Sequence, residues 1–127
     1  MPTHEHWQSE PEEHDFPAAE AYLSLVLPEP VAAELVEALK TAPLVHRKAK
    51  DLLRASGLPL LTDENKHVSA DLRKVEKGEA LSPVLLVRGD AIRRLPLLVA
   101  DGYHRICASY HLDENADVPC RMVDAPG

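Results

Sequence analysis

One junction constrains this chain more than any other stretch. Leu97-Leu98-Val99-Ala100 is an apolar run, Asp101-Gly102 cuts it off, and apolar residues then recur at Ile106, Cys107 and Tyr110. The period changes from strand-like to helix-like across that dipeptide, which predicts a strand, a sharp turn at Gly102 and a helix.

A turn of this kind leaves the first amides of the new helix without intrahelical acceptors, and their N–H groups add to the helix dipole in favouring an anion. His104 and Arg105 fall in the same first turn. Arginine offers a fork of donors matched to phosphate or carboxylate oxygens, and an imidazole donates from one nitrogen or, when protonated, from both. Two readings therefore stand side by side. In one, the stretch is an anion pocket. In the other, Asp101 is an N-cap, Gly102 supplies an unusual backbone angle, and His104 and Arg105 are solvated.

The run Asp101-Gly102-Tyr103-His104-Arg105, with Ala108 beyond it, a strand before it and Asp117-Val118-Pro119-Cys120-Arg121-Met122-Val123 after it, resembles the core of the ParB/sulfiredoxin superfamily. The likeness is best over residues 82–123, extends from about Tyr22, and leaves the middle of the chain uncovered. It implies an α/β (α+β) fold, a small mixed sheet of about four strands with helices packed on it. It also implies that Gly102, Tyr103, His104 and Arg105 hold nucleotide phosphates, with ATP or another nucleotide as the ligand. Asp101 would cap the turn or help hold Mg²⁺. The sequence departs from sulfiredoxins at one decisive place: Tyr103 stands where they carry a catalytic Cys. A phenol with a pKa near 10 cannot replace a thiolate or form a thiosulfinate, so sulfiredoxin activity is not expected. Cys107, about one helical turn later, reads as a packing residue.

The length of 127 residues suits one domain. Hydrophobic residues make up 45% of the chain but aromatics only 4%, so the core must be built from Leu, Val, Ile and Ala. No apolar run is long enough to cross a bilayer, and the first residues lack the basic start of a signal peptide, which predicts a cytoplasmic protein without membrane association. Cys107 and Cys120, without a Cys-x-x-Cys pairing, fit a reducing compartment. The net charge is −7, yet residues 1–20 hold six acids and no Lys or Arg, leaving 15 acids against 14 bases elsewhere. With a nearly neutral body, direct binding to DNA through a broad basic face is not expected.

Taken in order, residues 1–17 mix acids, three prolines and His4, His6 and His14, a composition that predicts a mobile acidic arm pinned by Trp7 or Phe16. The His4-x-His6 pair has no third ligand at a metal-binding spacing. Alternation over Tyr22–Leu27 predicts a strand. Pro28-Glu29-Pro30 then opens a helix that carries Val31, Leu35 and Leu39 on one face. A second helix is expected over Leu44–Ser56, stopped by Gly57, with Arg47, Lys50 and Arg54 on a shared face. Those bases, with Lys40 and Lys48, are either a solvated surface or a lining shared with His104 and Arg105 that supplies further phosphate contacts or docks the acidic arm. A third helix follows from Thr62-Asp63-Glu64-Asn65 to Lys77, so that about 43–80 reads as a helical insertion in the domain at 18–127. Val84–Arg88 reads as a strand buried on both faces, joined through Gly89-Asp90 and Arg93-Arg94 to the Leu97 strand. Val118–Val123 should close the sheet, with Pro119 at its beginning or at an edge.

Three functions follow from these features. The first is a nucleotide- or phosphate-binding domain, with ATP-dependent phosphoryl transfer to a small molecule as the expected reaction; His104 moves a proton, and Glu34 and Glu37 are acceptor bases by family likeness only. The second is a non-catalytic module of the ParB type, in which nucleotide switches self-association into a homo-oligomer or docking of a partner. The third, a nuclease, needs carboxylates gathered around metal ions, and Asp90, Asp101 and Asp117 are scattered along the sequence.

Overall fold

The computed structural model describes residues 5–126. In chain order it holds β1 (His6–Trp7), α1 (Asp15–Val26), α2 (Glu29–Thr41), β2 (Leu44–Lys48), α3 (Ala49–Ser56), α4 (Lys66–Glu76), β3 (Ala80–Leu81), β4 (Val84–Arg88), β5 (Leu98–Asp101), α5 (Tyr103–Leu112) and β6 (Asp117–Asp124). Four strands form a mixed sheet in the order β2-β6-β4-β5, while β1 and β3 make a separate parallel pair. The fold is α+β.

The sheet is the middle of three layers because β4 is apolar at every position but its last. Successive side chains of a strand alternate faces. Val84 and Leu86 join a core with Leu52, Val68 and Ile106 from α3, α4 and α5, whereas Leu85 and Val87 join a second core with Leu23, Leu35 and Leu39 from α1 and α2. Burying each leucine contributes about 2 kcal/mol. β6 follows the same alternation, with Val118 and Cys120 in the first core and Val123 against the second.

Local chemistry sets several boundaries. Asn65 Oδ1 accepts from the amides of His67 (2.9 Å) and Val68 (3.2 Å), so α4 begins at Lys66 rather than nearer Thr62. Gly57, at φ +70°, ends α3 with its amide on Leu53 and Arg54 carbonyls. In α2 a proline lies in the first turn, Glu29 stands near the positive end and Lys40 near the negative end, as expected.

Four sequence expectations are corrected. Tyr22–Leu27 is not a strand: Asp15, Ala19 and Leu23 recur every four residues as the buried stripe of α1, which runs to Val26. Leu44–Ser56 is not one helix: Leu44–Lys48 pairs antiparallel with β6, and only Ala49–Ser56 is helical, so Arg47 does not share a helix face with Lys50 and Arg54. Because β2 belongs to the main sheet, residues 43–48 are not part of a helical insertion. Pro119 lies inside the chain's longest strand, between β2 and β4, and not at an edge; it sits one residue ahead of the first β4 pair, Val84 with Cys120, so that flanking ladder has not begun.

The supposed mobile arm also folds onto the body in its described part. His6 and Trp7 pair with Ala80 and Leu81, Gln8 N donates to the Leu81 carbonyl at 2.8 Å, and Trp7 packs on the first core. Ser109 Oγ of α5 donates to Glu5 at 2.6 Å. The segment therefore docks beside α5 and not on the bases of α3. His4, and with it the His4-x-His6 pair, lies outside the described residues.

Candidate functional site

The junction predicted at Gly102 is present. β5 ends at Asp101, Gly102 takes φ +108°, and the Ile106 amide donates to the Gly102 carbonyl as α5 begins. Glycine is needed for a second reason. A Cβ there would run into the Val84 side chain and would stand 2.9 Å from Arg105 Nη2. Its small size thus serves the packing of α5 on β4.

Asp101 does not cap the helix, contrary to expectation. Its carboxylate accepts from Arg105 Nη2 at 2.8 Å, one turn into α5. Asp15, 2% exposed at the start of α1, lies 4.0 Å from Arg105 Nη1. The guanidinium is therefore held between two carboxylates, and its Nε is enclosed without an acceptor.

Beside this triad is a cavity of about 240 Å³ between α4 and α5. His104 and Arg105 border it from α5, Asp101 and Gly102 from the junction, and His67, Asp71 and Lys74 from α4. The His67 and His104 ring centroids are 4.6 Å apart at 42°. Two cations, Lys74 and Arg105, border the cavity with two carboxylates, Asp71 and Asp101, and Asp15 sets a third carboxylate against Arg105 from behind.

Burial dominates the electrostatics. It raises the Asp71 carboxyl above its usual range, against the pull of Arg105, Lys74 and both imidazoles. Asp101 is likewise raised, by burial first and by neighbouring Asp15, with Arg105 opposing. His104 is lowered, by burial and then by His67, while Asp71 works the other way. Both cysteines are buried and free; burial raises Cys107 and pushes Cys120 up to about 11, which keeps them protonated and inert near neutrality.

Of the residues singled out in the sequence, Asp101, Gly102, His104 and Arg105 share the cavity and Tyr103 does not. The Tyr103 ring packs on the first core and its hydroxyl donates to the Pro59 carbonyl, anchoring the segment after α3. Glu34 and Glu37 are exposed on α2, in the layer on the other side of the sheet. Lys48, Lys50 and Arg54 surround a separate depression, and Arg93 and Arg94 are exposed in the β4–β5 turn. Asp90 lies past the far end of β4 from Asp101, and β4 stands between the strands that carry Asp101 and Asp117.

Sequence reasoning missed His67, Asp71 and Lys74. A signal was available: 67, 71 and 74 fall at i, i+4 and i+7, a polar stripe next to the apolar one at Val68, Leu72 and Val75. Among the described residues no three His, Cys, Asp or Glu side chains gather in a way that holds a metal ion. With the Asp101 carboxylate on Arg105, the residues present do not fit a protein-held Mg²⁺. No described helix is long and apolar enough to cross a membrane.

No family model, curated protein or solved structure matches the chain.

Proposed function

We propose that this chain is a ParB/sulfiredoxin-like domain that binds the phosphate end of a nucleotide, ATP first among them, or of another small phosphorylated molecule, between α4 and α5. The observation that carries the reading is the convergence of Lys74, His67 and His104 on a cavity at the amino end of α5, where backbone amides and the helix dipole favour an anion. At about 240 Å³ the cavity is smaller than the roughly 300 to 1,000 Å³ of sites that enclose whole ligands, which suits a phosphoryl group whose remainder lies outside.

The reaction we place first is ATP-dependent phosphoryl transfer to a small molecule. Such transfer depends chiefly on positioning and charge neutralisation. Lys74 supplies charge and the imidazoles supply ring N–H donors. Asp71, whose carboxyl pKa burial raises, is a better proton acceptor than an ordinary aspartate.

The test is calorimetry of the full chain with ATP, ADP, CTP and GTP, repeated on Lys74→Ala and His104→Ala, with Lys77→Ala as the control beyond the end of α4. Loss of a charge-assisted hydrogen bond should weaken binding about tenfold in the first two and not in the third. Equal affinities in all four proteins would remove the proposal. Release of ADP with a phosphorylated product distinguishes transfer from binding alone.

One contact favours the second reading, a nucleotide-responsive module without catalysis. Arg105 is tied to Asp15 of α1, so a ligand that recruits Arg105 must loosen the helix whose outer side exposes Tyr22, Leu25 and Val26. Light scattering with and without nucleotide decides it: a change in mass on binding, with no turnover, supports the module.

A further inference from the structure

A second cavity, sharing no residue with the first, lies on the same side of the sheet at the far end of β4. It measures about 360 Å³, within the usual range of small-molecule sites. Leu52 and Ala55 of α3, Leu97, Met122 of β6 and Leu95 of the β4–β5 turn give it an apolar floor. The turn forms one wall and is braced: Asp90 and Leu95 exchange amide-to-carbonyl bonds of 2.8 Å in both directions. Gly89 lets it fold this close, since a Cβ there would stand 2.6 Å from the backbone of Pro96 and Leu97.

Four charged residues border this cavity, and three are already engaged. Arg88 Nε is 2.8 Å from Asp124, Asp51 is 3.6 Å from Arg54, and the Asp90 carboxylate accepts from the amides of Ile92 (3.0 Å) and Arg93 (3.4 Å). Arg47 has no carboxylate partner among the described residues; its guanidinium makes one long bond of 3.5 Å to the adjacent His46 carbonyl. An apolar floor is thus edged by a single uncommitted positive charge.

We propose that this cavity binds a small carboxylate with an apolar body, the carboxylate on Arg47 and the body against Leu52, Leu95, Leu97 and Met122. Arg47 is the one bordering cation without a carboxylate partner among the described residues, which matches a monoanion; a phosphate dianion would bring a second negative charge beside Asp90, which its amide hydrogen bonds leave charged. A guanidinium fork fits both oxygens of a carboxylate, and the apolar floor repays desolvation of the body. This site is independent of the phosphate reading.

The experiment is an NMR titration of the ¹⁵N-labelled full chain with octanoate, 1-octanol and inorganic phosphate in turn. Octanoate should move the amides of Gly89, Ala91, Leu95 and Met122 saturably and leave those of His67, Lys74 and His104 in place. Octanol should bind about tenfold more weakly, the worth of one charge-assisted hydrogen bond. Arg47→Gln should abolish that preference, and Ala55→Trp should block both ligands. Both substitutions are at exposed positions, and the wild-type comparison of octanoate with octanol needs neither. Octanoate shifts that fail to saturate, octanol binding as tightly as octanoate, or phosphate moving the same amides as strongly would each overturn the assignment.

Discussion

Arg105 Nη2 lies 2.8 Å from the Asp101 carboxylate, closing a bridge between the last residue of β5 and the first turn of α5. With Asp15 4.0 Å from the other guanidinium nitrogen, one cation joins the sheet, the site helix and α1. Arg105 is as much a structural tie as a candidate ligand group, and the two roles make separate demands on its variants.

Arg105→Ala should cost about 3 kcal/mol of stability in urea unfolding, because it leaves two carboxylates without the cation that offsets their burial. Asp15 is 2% and the Arg105 side chain 16% exposed, so solvent screens the pair little. Adding Asp15→Asn should recover part of the loss. Strictly additive costs for the two changes would show that the residues are not coupled.

Gly102→Ala should destabilise the chain by about 3 kcal/mol, since it places an L-residue at φ +108° and drives a methyl into Val84. Gly57→Ala is the comparison. At φ +70° with nothing within 4 Å of the added carbon, it should cost only about 1 kcal/mol. Equal losses from the two in urea unfolding would mean that close packing at Gly102 is unimportant.

Stability should fall and then recover as the solution is acidified. His104 has a folded pKa below its ordinary 6.5, so the unfolded chain takes up that proton first and stability declines as pH drops from 6.5 through the folded value. Glu5 and Asp71 have folded pKa values above 4.5 and 3.8, so the folded chain binds those protons first and stability rises as pH falls through their folded values. Urea midpoints measured across pH 7 to 3 check both limbs. In His104→Gln the decline below pH 6.5 should flatten while the acid-side recovery stays.

Trp7→Ala should lower stability by about 2 kcal/mol, less than a fully buried tryptophan would, because the ring packs on the first core but remains partly exposed. Amide exchange at Gln8 and Leu81, next to or within the β1–β3 pair, should quicken in the same variant. Unchanged stability and exchange would return residues 5–14 to the status of an appended arm.

Some features were readable because their determinants are local. The change of period at Gly102, the proline start of α2, the stop at Gly57 and the continuous apolar run Val84–Val87 each act within a few residues, and all four stand in the fold. Short ambiguous windows were not readable. Tyr-Leu-Ser-Leu-Val-Leu satisfies an alternating pattern over six residues, but its helical stripe shows only when Asp15 and Ala19 are included. Asp15 lies in residues 1–17, a stretch whose acids suggest an unfolded arm. Val45 and Ala49 are four apart as in a helix, yet pairing with β6, 69 to 77 residues later, makes Leu44–Lys48 a strand.

The sequence by itself determined the strand-turn-helix at Gly102 and the presence there of Asp101, His104 and Arg105, since these depend on neighbours along the chain. Only tertiary structure decided that Arg105 faces Asp101 and Asp15, that Tyr103 turns to Pro59, and that α4 brings His67, Asp71 and Lys74 to the junction. Side chains distant in sequence meet only when packing and strand pairing fix their elements in space, and composition and periodicity carry no record of that meeting.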